Sequence, residues 1–212
     1  MKRRIFIHSI IASVLFGIYL QNKSIVAATN TVVSPGEGSE NPHGASPGFF
    51  IENELAKNYT FGQFVVGRSN QYAHCAALHV SENRWSSCHP VFIHSPTGLG
   101  KTHLLHAIGH GIKSENPNTK VLQIHAMQFV SEMKRAMQQK QTDEFMAFFL
   151  RLDVLLIDDI EFLSGKERSQ RELSSILDAM VNNHKQIVTT GHTAPQKIER
   201  INEPLKFILG AR

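Results

Sequence analysis

The sequence predicts an α/β fold in which helices cover both faces of a parallel sheet. Three observations carry that prediction: a glycine-containing loop set between an apolar strand and a helix, an apolar run that ends in paired carboxylates, and an alternation of strand-like and helix-like segments from about residue 58 onward. A strand inside a parallel sheet is buried on both faces, so it reads as a nearly continuous apolar run. The helices that connect such strands show instead an apolar stripe of about 3.6-residue period.

The loop is Ser95-Pro-Thr-Gly-Leu-Gly-Lys-Thr-His103. It follows the phosphate-binding pattern G-x-x-x-x-G-K-[ST], with Ser95 in place of the first glycine. In that pattern backbone N–H groups close around phosphate oxygens, the lysine reaches the β- and γ-phosphates, and the hydroxyl ligates Mg²⁺. Val91–His94 reads as the strand before the loop. Lys101–Ile112 reads as the helix after it, whose N-terminus adds partial positive charge.

Leu152-Asp-Val-Leu-Leu-Ile-Asp-Asp159 is the apolar run with the acidic pair. Taken alone, such a pair is a turn or a helix cap. Following a phosphate loop by the length of one βαβα unit, it lies in the crevice at the carboxyl ends of the strands, where nucleotides bind in open α/β sheets. Asp158 is then placed to hold Mg²⁺, directly or through water, and Asp159 to orient or deprotonate an attacking water.

The remaining elements follow in order. Lys120–His125 is a short strand. Phe129, Met133 and Met137, one helical turn apart, mark a helix with a core-facing stripe. Thr142 is expected to cap a further helix that buries Phe145, Phe148 and Phe149. Ser164–Arg168 is expected as a polar loop. Leu173, Ile176, Leu177, Met180 and Val181 mark another amphipathic helix, and Gln186–Thr190 the last strand.

With 212 residues, 42% hydrophobic and 19% charged, the chain can bury a proper core. A net charge of +4 is compatible with a nucleic-acid partner without demanding one. Residues 1–28 have the basic, apolar, small-residue layout of a secretory signal: Lys2-Arg-Arg4, then Ile5–Leu20, then Val26-Ala-Ala28. Three readings of that segment stand: an export signal, a membrane anchor, or an unrelated extension. Residues 29–57 read as a disordered linker, and residues 58–212 as the nucleotide-binding domain. Cys75 and Cys88 with His74, His79 and His89 match no paired-cysteine zinc spacing. Cys75 is expected as a small core residue.

From about Tyr59 to Lys206 the chain resembles the AAA+ ATPase core of the DnaA family, the bacterial chromosomal replication initiators. The matching blocks are Phe61-Gly-Gln-Phe-Val-Val-Gly-Arg-Ser-Asn70, Thr97-Gly-Leu-Gly-Lys-Thr-His-Leu-Leu-His-Ala107, Leu155-Leu-Ile-Asp-Asp-Ile160 and Lys166-Glu-Arg-Ser-Gln170. The resemblance implies ATP and Mg²⁺ binding, oligomerisation with other initiator protomers on origin DNA, slow hydrolysis to ADP, and a cytoplasmic location, in conflict with the signal-like segment. It puts Thr97, Gly98, Leu99, Gly100, Lys101, Thr102 and His103 around the phosphates and Val66 in the segment that packs on adenine. Thr102 and Asp158 take the Mg²⁺ role and Asp159 that of the catalytic carboxylate. Val130 and Arg168 match positions that face single-stranded DNA. Read without the resemblance, they are a partly buried helix valine and a solvated loop arginine.

Departures from the family pattern bear on catalysis. The family's sensor strand ends in Thr-Ser-Asp, whereas this one ends in Thr190-Gly-His192. Pro204 and Ile208 stand where the family has two arginines. The family's last core strand, helical lid and duplex-reading helix-turn-helix domain are not expected within these residues, so origin duplex binding is not expected either. The edge beside Val91–His94 is expected to be bare. Two function classes result: an ATPase of replication initiation or its regulation with hydrolysis impaired, or a non-catalytic fragment that docks on a full-length initiator or single-stranded DNA, or has no function.

Overall fold

The computed structural model describes residues 6–8, 51, 55–82 and 90–210. Val26–Ala28, residues 29–50 of the expected linker, and Cys88 and His89 lie outside the described residues.

The strands are β1 (Phe6–His8), β2 (Val91–His94), β3 (Val121–His125), β4 (Val154–Asp158) and β5 (Gln186–Gly191). The helices are α1 (Gln71–Glu82), α2 (Lys101–Glu115), α3 (Ala126–Gln138), α4 (Thr142–Leu150), α5 (Glu167–Asn182) and α6 (Glu203–Ile208). The sheet runs β1-β2-β5-β4-β3, and β2, β5, β4 and β3 are mutually parallel. That is the expected α/β parallel sheet.

Alternate residues of each strand feed opposite faces, as the two-residue period of a strand requires. Val91, Ile93, Val121, Val154, Leu156 and Val188 pack with Leu104, Leu105 and Ile108 of α2 and Ala73 and Ala77 of α1. Phe92, Leu122, Ile124, Leu155, Ile157 and Ile187 face the other way, against α3, α4, α5 and α6. The second layer holds an aromatic cluster: the ring centroids of Phe129, Phe145 and Phe149 lie 5.0–5.6 Å apart.

Several local expectations change. The edge beside β2 is covered, because β1 pairs with it antiparallel, Phe6 opposite His94 and His8 opposite Phe92. These residues belong to the signal-like segment. No helix among the described residues is long and apolar enough to cross a membrane. Cys75 is exposed, since α1 turns Ala73, Ala77 and Val80 inward instead. Thr142 is the first residue of α4, and Gln141 precedes it as a cap without a side-chain hydrogen bond. Arg168 lies in the first turn of α5 rather than in a loop. Leu55 packs against the α1–α2 layer, so the folded part already includes residues assigned to the linker.

Candidate nucleotide-binding site

The loop between β2 and α2 takes its shape from two glycines. Gly98 and Gly100 have φ of +82° and +84°, a region L side chains rarely adopt. Gly100 is also crowded: a Cβ there would lie 2.7 Å from Cε2 of Phe64. Ser95 is not among the positive-φ residues, so a serine replaces the first glycine of the pattern without strain. It is fully buried, and its N–H donates to Gly191 O at 3.2 Å, which ties the loop to β5.

Lys101 opens α2 and is only 6% exposed. Its ammonium donates to Ser95 O at 2.9 Å and Pro96 O at 3.4 Å, both carbonyls of its own loop. Nζ also lies 3.4 Å from Nδ1 of His192. The next residue, Thr102, donates its hydroxyl to Asp158 Oδ2 at 2.7 Å.

Asp158 ends β4 at 4% exposure, and its other oxygen accepts from the Thr190 hydroxyl of β5. Thr190 Oγ1 in turn accepts from Asp159 N–H at 2.9 Å. Two strand ends and the start of α2 are thus joined through one buried carboxylate. A buried carboxylate is tolerated only when its oxygens are paired in this way.

Asp159 has φ of +52°, unusual for a residue with a Cβ. That turn swings its carboxylate between two imidazoles: His125 Nε2 is 3.5 Å from Oδ2, and His192 Nε2 is 3.7 Å from Oδ1. His125 Nδ1 accepts from Met127 N–H at 3.1 Å, so the neutral ring carries its proton on Nε2, toward Asp159.

The structure brings together Thr97, Gly98, Leu99, Gly100, Lys101, Thr102, Asp158 and Asp159. His103 turns away from the loop: its Nε2–H donates to Thr60 O at 2.8 Å and its ring stacks on Tyr59 at 4.9 Å. Its role is to hold the 59–64 segment. His106 and His110 hold the preceding residue of that segment, since Ala56 N–H donates to His106 Nδ1 and His110 Nε2–H donates to Ala56 O. Burial pushes the His106 imidazole below its ordinary pKa, and the charge of Asp158 opposes that only in part. Val66 is 48% exposed, and Phe64 rather than Val66 lies against Gly100. Val130 is half-buried on α3, and Arg168 is exposed on α5, both outside this hydrogen-bond network.

Thr190, His125 and Phe64 are site residues that the sequence reading did not single out. Thr190 and His125 carried a signal, because each stands at the end of an expected strand, level with Asp158 once the strand order is known. Phe64 stands inside the first matching block.

The sequence model of the bacterial DnaA ATPase domain matches residues 55–211. The curated chromosomal replication initiator protein DnaA of Paraburkholderia phymatum is 39% identical over 179 residues, 84% of this chain and 35% of that protein's length. A structure described as replication initiator DnaA bound to AMPPCP and single-stranded DNA superposes with a TM-score of 0.70 at 34% identity, covering 73% of this chain and 48% of that one. Domain III of the Thermotoga maritima replication initiation protein DnaA gives a TM-score of 0.72 at 35% identity, covering 74% of this chain and 65% of that one. The buried loop lysine, the hydroxyl–carboxylate pair and these matches lead to one assignment: the chain belongs to the bacterial DnaA ATPase-domain family.

Proposed function

We propose that this chain binds ATP with Mg²⁺ through the β2–α2 loop and the ends of β4 and β5, as a cytoplasmic module of replication initiation or its regulation, and that it hydrolyses ATP poorly. The observation that carries the reading is the Lys101, Thr102, Asp158 and Thr190 set. Lys101 is held on the carbonyls of Ser95 and Pro96, so it lies within the loop that would wrap the phosphates. The donor set fits Mg²⁺, since Thr102 Oγ1 and Asp158 Oδ2 are hard oxygen donors already 2.7 Å apart. Thr102 and Asp158 would hold the ion, which when bound neutralises charge on the phosphate oxygens. Asp159, steadied by His125, is the carboxylate available to position a water.

Weak hydrolysis follows from three side chains. His192 stands where the family places an aspartate, next to both Lys101 and Asp159. Pro204 is exposed in the first turn of α6, and Ile208 packs against the core at its end. Neither can present the cationic group that the resemblance puts at its position. An arginine aimed at a γ-phosphate is worth about 10³–10⁵ in rate.

A second reading is a module that acts by docking. The matched structure with single-stranded DNA and the exposed Arg168 favour single-stranded DNA as the partner. The impaired-hydrolysis reading is tested by measuring phosphate release from the full chain while it is saturated with Mg²⁺-ATP. Retained ATP with phosphate release at least about a hundredfold slower than from a relative that carries both arginines, a cautious reading of the arginine contribution, is the expected result. Release at the relative's rate overturns the impaired-hydrolysis reading.

A further inference from the structure

Glu161, in the 3-10 turn that follows Asp159, has no part in the nucleotide reading. One of its oxygens, Oε1, accepts from the backbone N–H of His192 and, at 3.2 Å, of Thr193. The other, Oε2, is buried and has no hydrogen-bond partner among the described residues. Gly191 makes this seat possible, because a Cβ there would come within 2.7 Å of Oε1 and 2.6 Å of the Phe92 ring. A desolvated carboxylate oxygen left unpaired is costly, and an ion is one partner that can complete it.

Asp159, Glu161 and His192 each offer one ligand atom, and those atoms lie within 4.8 Å of one another. We propose that these three residues hold a divalent transition-metal ion of the Zn²⁺ class, at a site separate from the Thr102–Asp158 pair. One imidazole nitrogen with two carboxylates suits such an ion better than Mg²⁺, which prefers an all-oxygen shell with several waters. The His192 ring is placed for it. Nε2 faces Asp159 Oδ1, while Nδ1 lies 3.4 Å from both Thr97 Oγ1 and Lys101 Nζ, so ligation through Nε2 requires the ring proton to go to Thr97 and the ammonium to stay on the carbonyls of Ser95 and Pro96. His125 is excluded from the ligand set, because Nδ1 is committed to Met127 N–H and Nε2 must keep its proton. It orients Asp159 from the far side. An ion here engages the carboxylate assigned to water, so a loaded site does not hydrolyse. That consequence rests on the nucleotide reading; the metal site does not.

The chain has twelve histidines, so variants are needed to tell this site from background binding. The test is titration of the full chain with Zn²⁺ alone against a chromophoric chelator, for wild type, E161Q, H192N and T102V, with folding of each checked by circular dichroism. The expected result is one tight site per chain, weakened about tenfold or more in E161Q and H192N and unchanged in T102V. Co²⁺ should give a visible absorption band that H192N abolishes, and this readout decides the matter if E161Q does not fold. Absence of a tight site in the wild type, or affinity unchanged in H192N, overturns the proposal. ATP binding is measured separately and is not needed for either outcome.

Discussion

Asp158 depends on two hydroxyls from different elements, Thr102 at the start of α2 and Thr190 at the end of β5. The carboxylate itself was legible in the sequence, because an acidic pair closing an apolar run has a place in a parallel sheet. Thr190 was not singled out, since its tie to Asp158 needs β4 and β5 to be neighbours, which local pattern does not state. His106 is a second residue whose role appears only in three dimensions. It is neutral in the fold, accepting from Ala56 N–H, and burial holds its pKa below the ordinary 6.5. The unfolded chain therefore takes up more protons than the folded one below that value. This part of the stability is fully present above pH 6.5 and is lost as pH falls from there toward the folded pKa. Urea unfolding between pH 7.5 and 5.5 should show stability falling with acidification, and His106→Asn should flatten that slope. An unchanged slope in the variant would remove His106 from the account. His74, also depressed by burial, adds in the same direction.

At the scale of elements, what was legible follows from period. The stripes of α3, α4 and α5 face the core as the spacing of Phe129, Phe145 and Leu173 requires. Boundaries were less legible, because a cap is a matter of a few hydrogen bonds. Thr142 has the right chemistry for a cap, yet the helix starts on it, while Asn202, unremarked in the sequence, does cap α6 by accepting from Leu205 N–H at 2.9 Å. Pro204 sits comfortably in that first turn, where a missing N–H costs nothing. The packing claim concerns the aromatic cluster between α3 and α4. Phe149→Ala should destabilise the chain by about 3–5 kcal/mol, the usual cost of emptying a large buried aromatic site, read from the shift in urea midpoint. A loss well under 1 kcal/mol would mean that the cluster is not packed as described.

The whole molecule differs from expectation at one sheet edge. Composition marks residues 1–28 as signal-like, and nothing in a local pattern says that Phe6–His8 can pair with β2. Pairing across so long a separation is legible only once the edge exists. An uncovered edge is a template for other chains. Deleting residues 1–28 should therefore raise self-association, visible as concentration-dependent sedimentation; a shortened chain that stays monomeric where the full chain does would show that β1 does not protect the edge. The site as a whole was largely legible, because the loop, Asp158 and Asp159 announce themselves by residue type and spacing. What motif alone does not show is how His103 stacks on Tyr59, or that Phe64 of the first matching block packs against Gly100. The central claim is that the surviving loop and carboxylates hold Mg²⁺-ATP. Calorimetric titration of the full chain, beside Lys101→Ala, tests it most directly. Saturable binding of one nucleotide per chain, lost in the variant while the fold is kept, is the predicted result, whereas a folded wild-type chain that binds no ATP, or a variant that binds it equally well, would contradict the account.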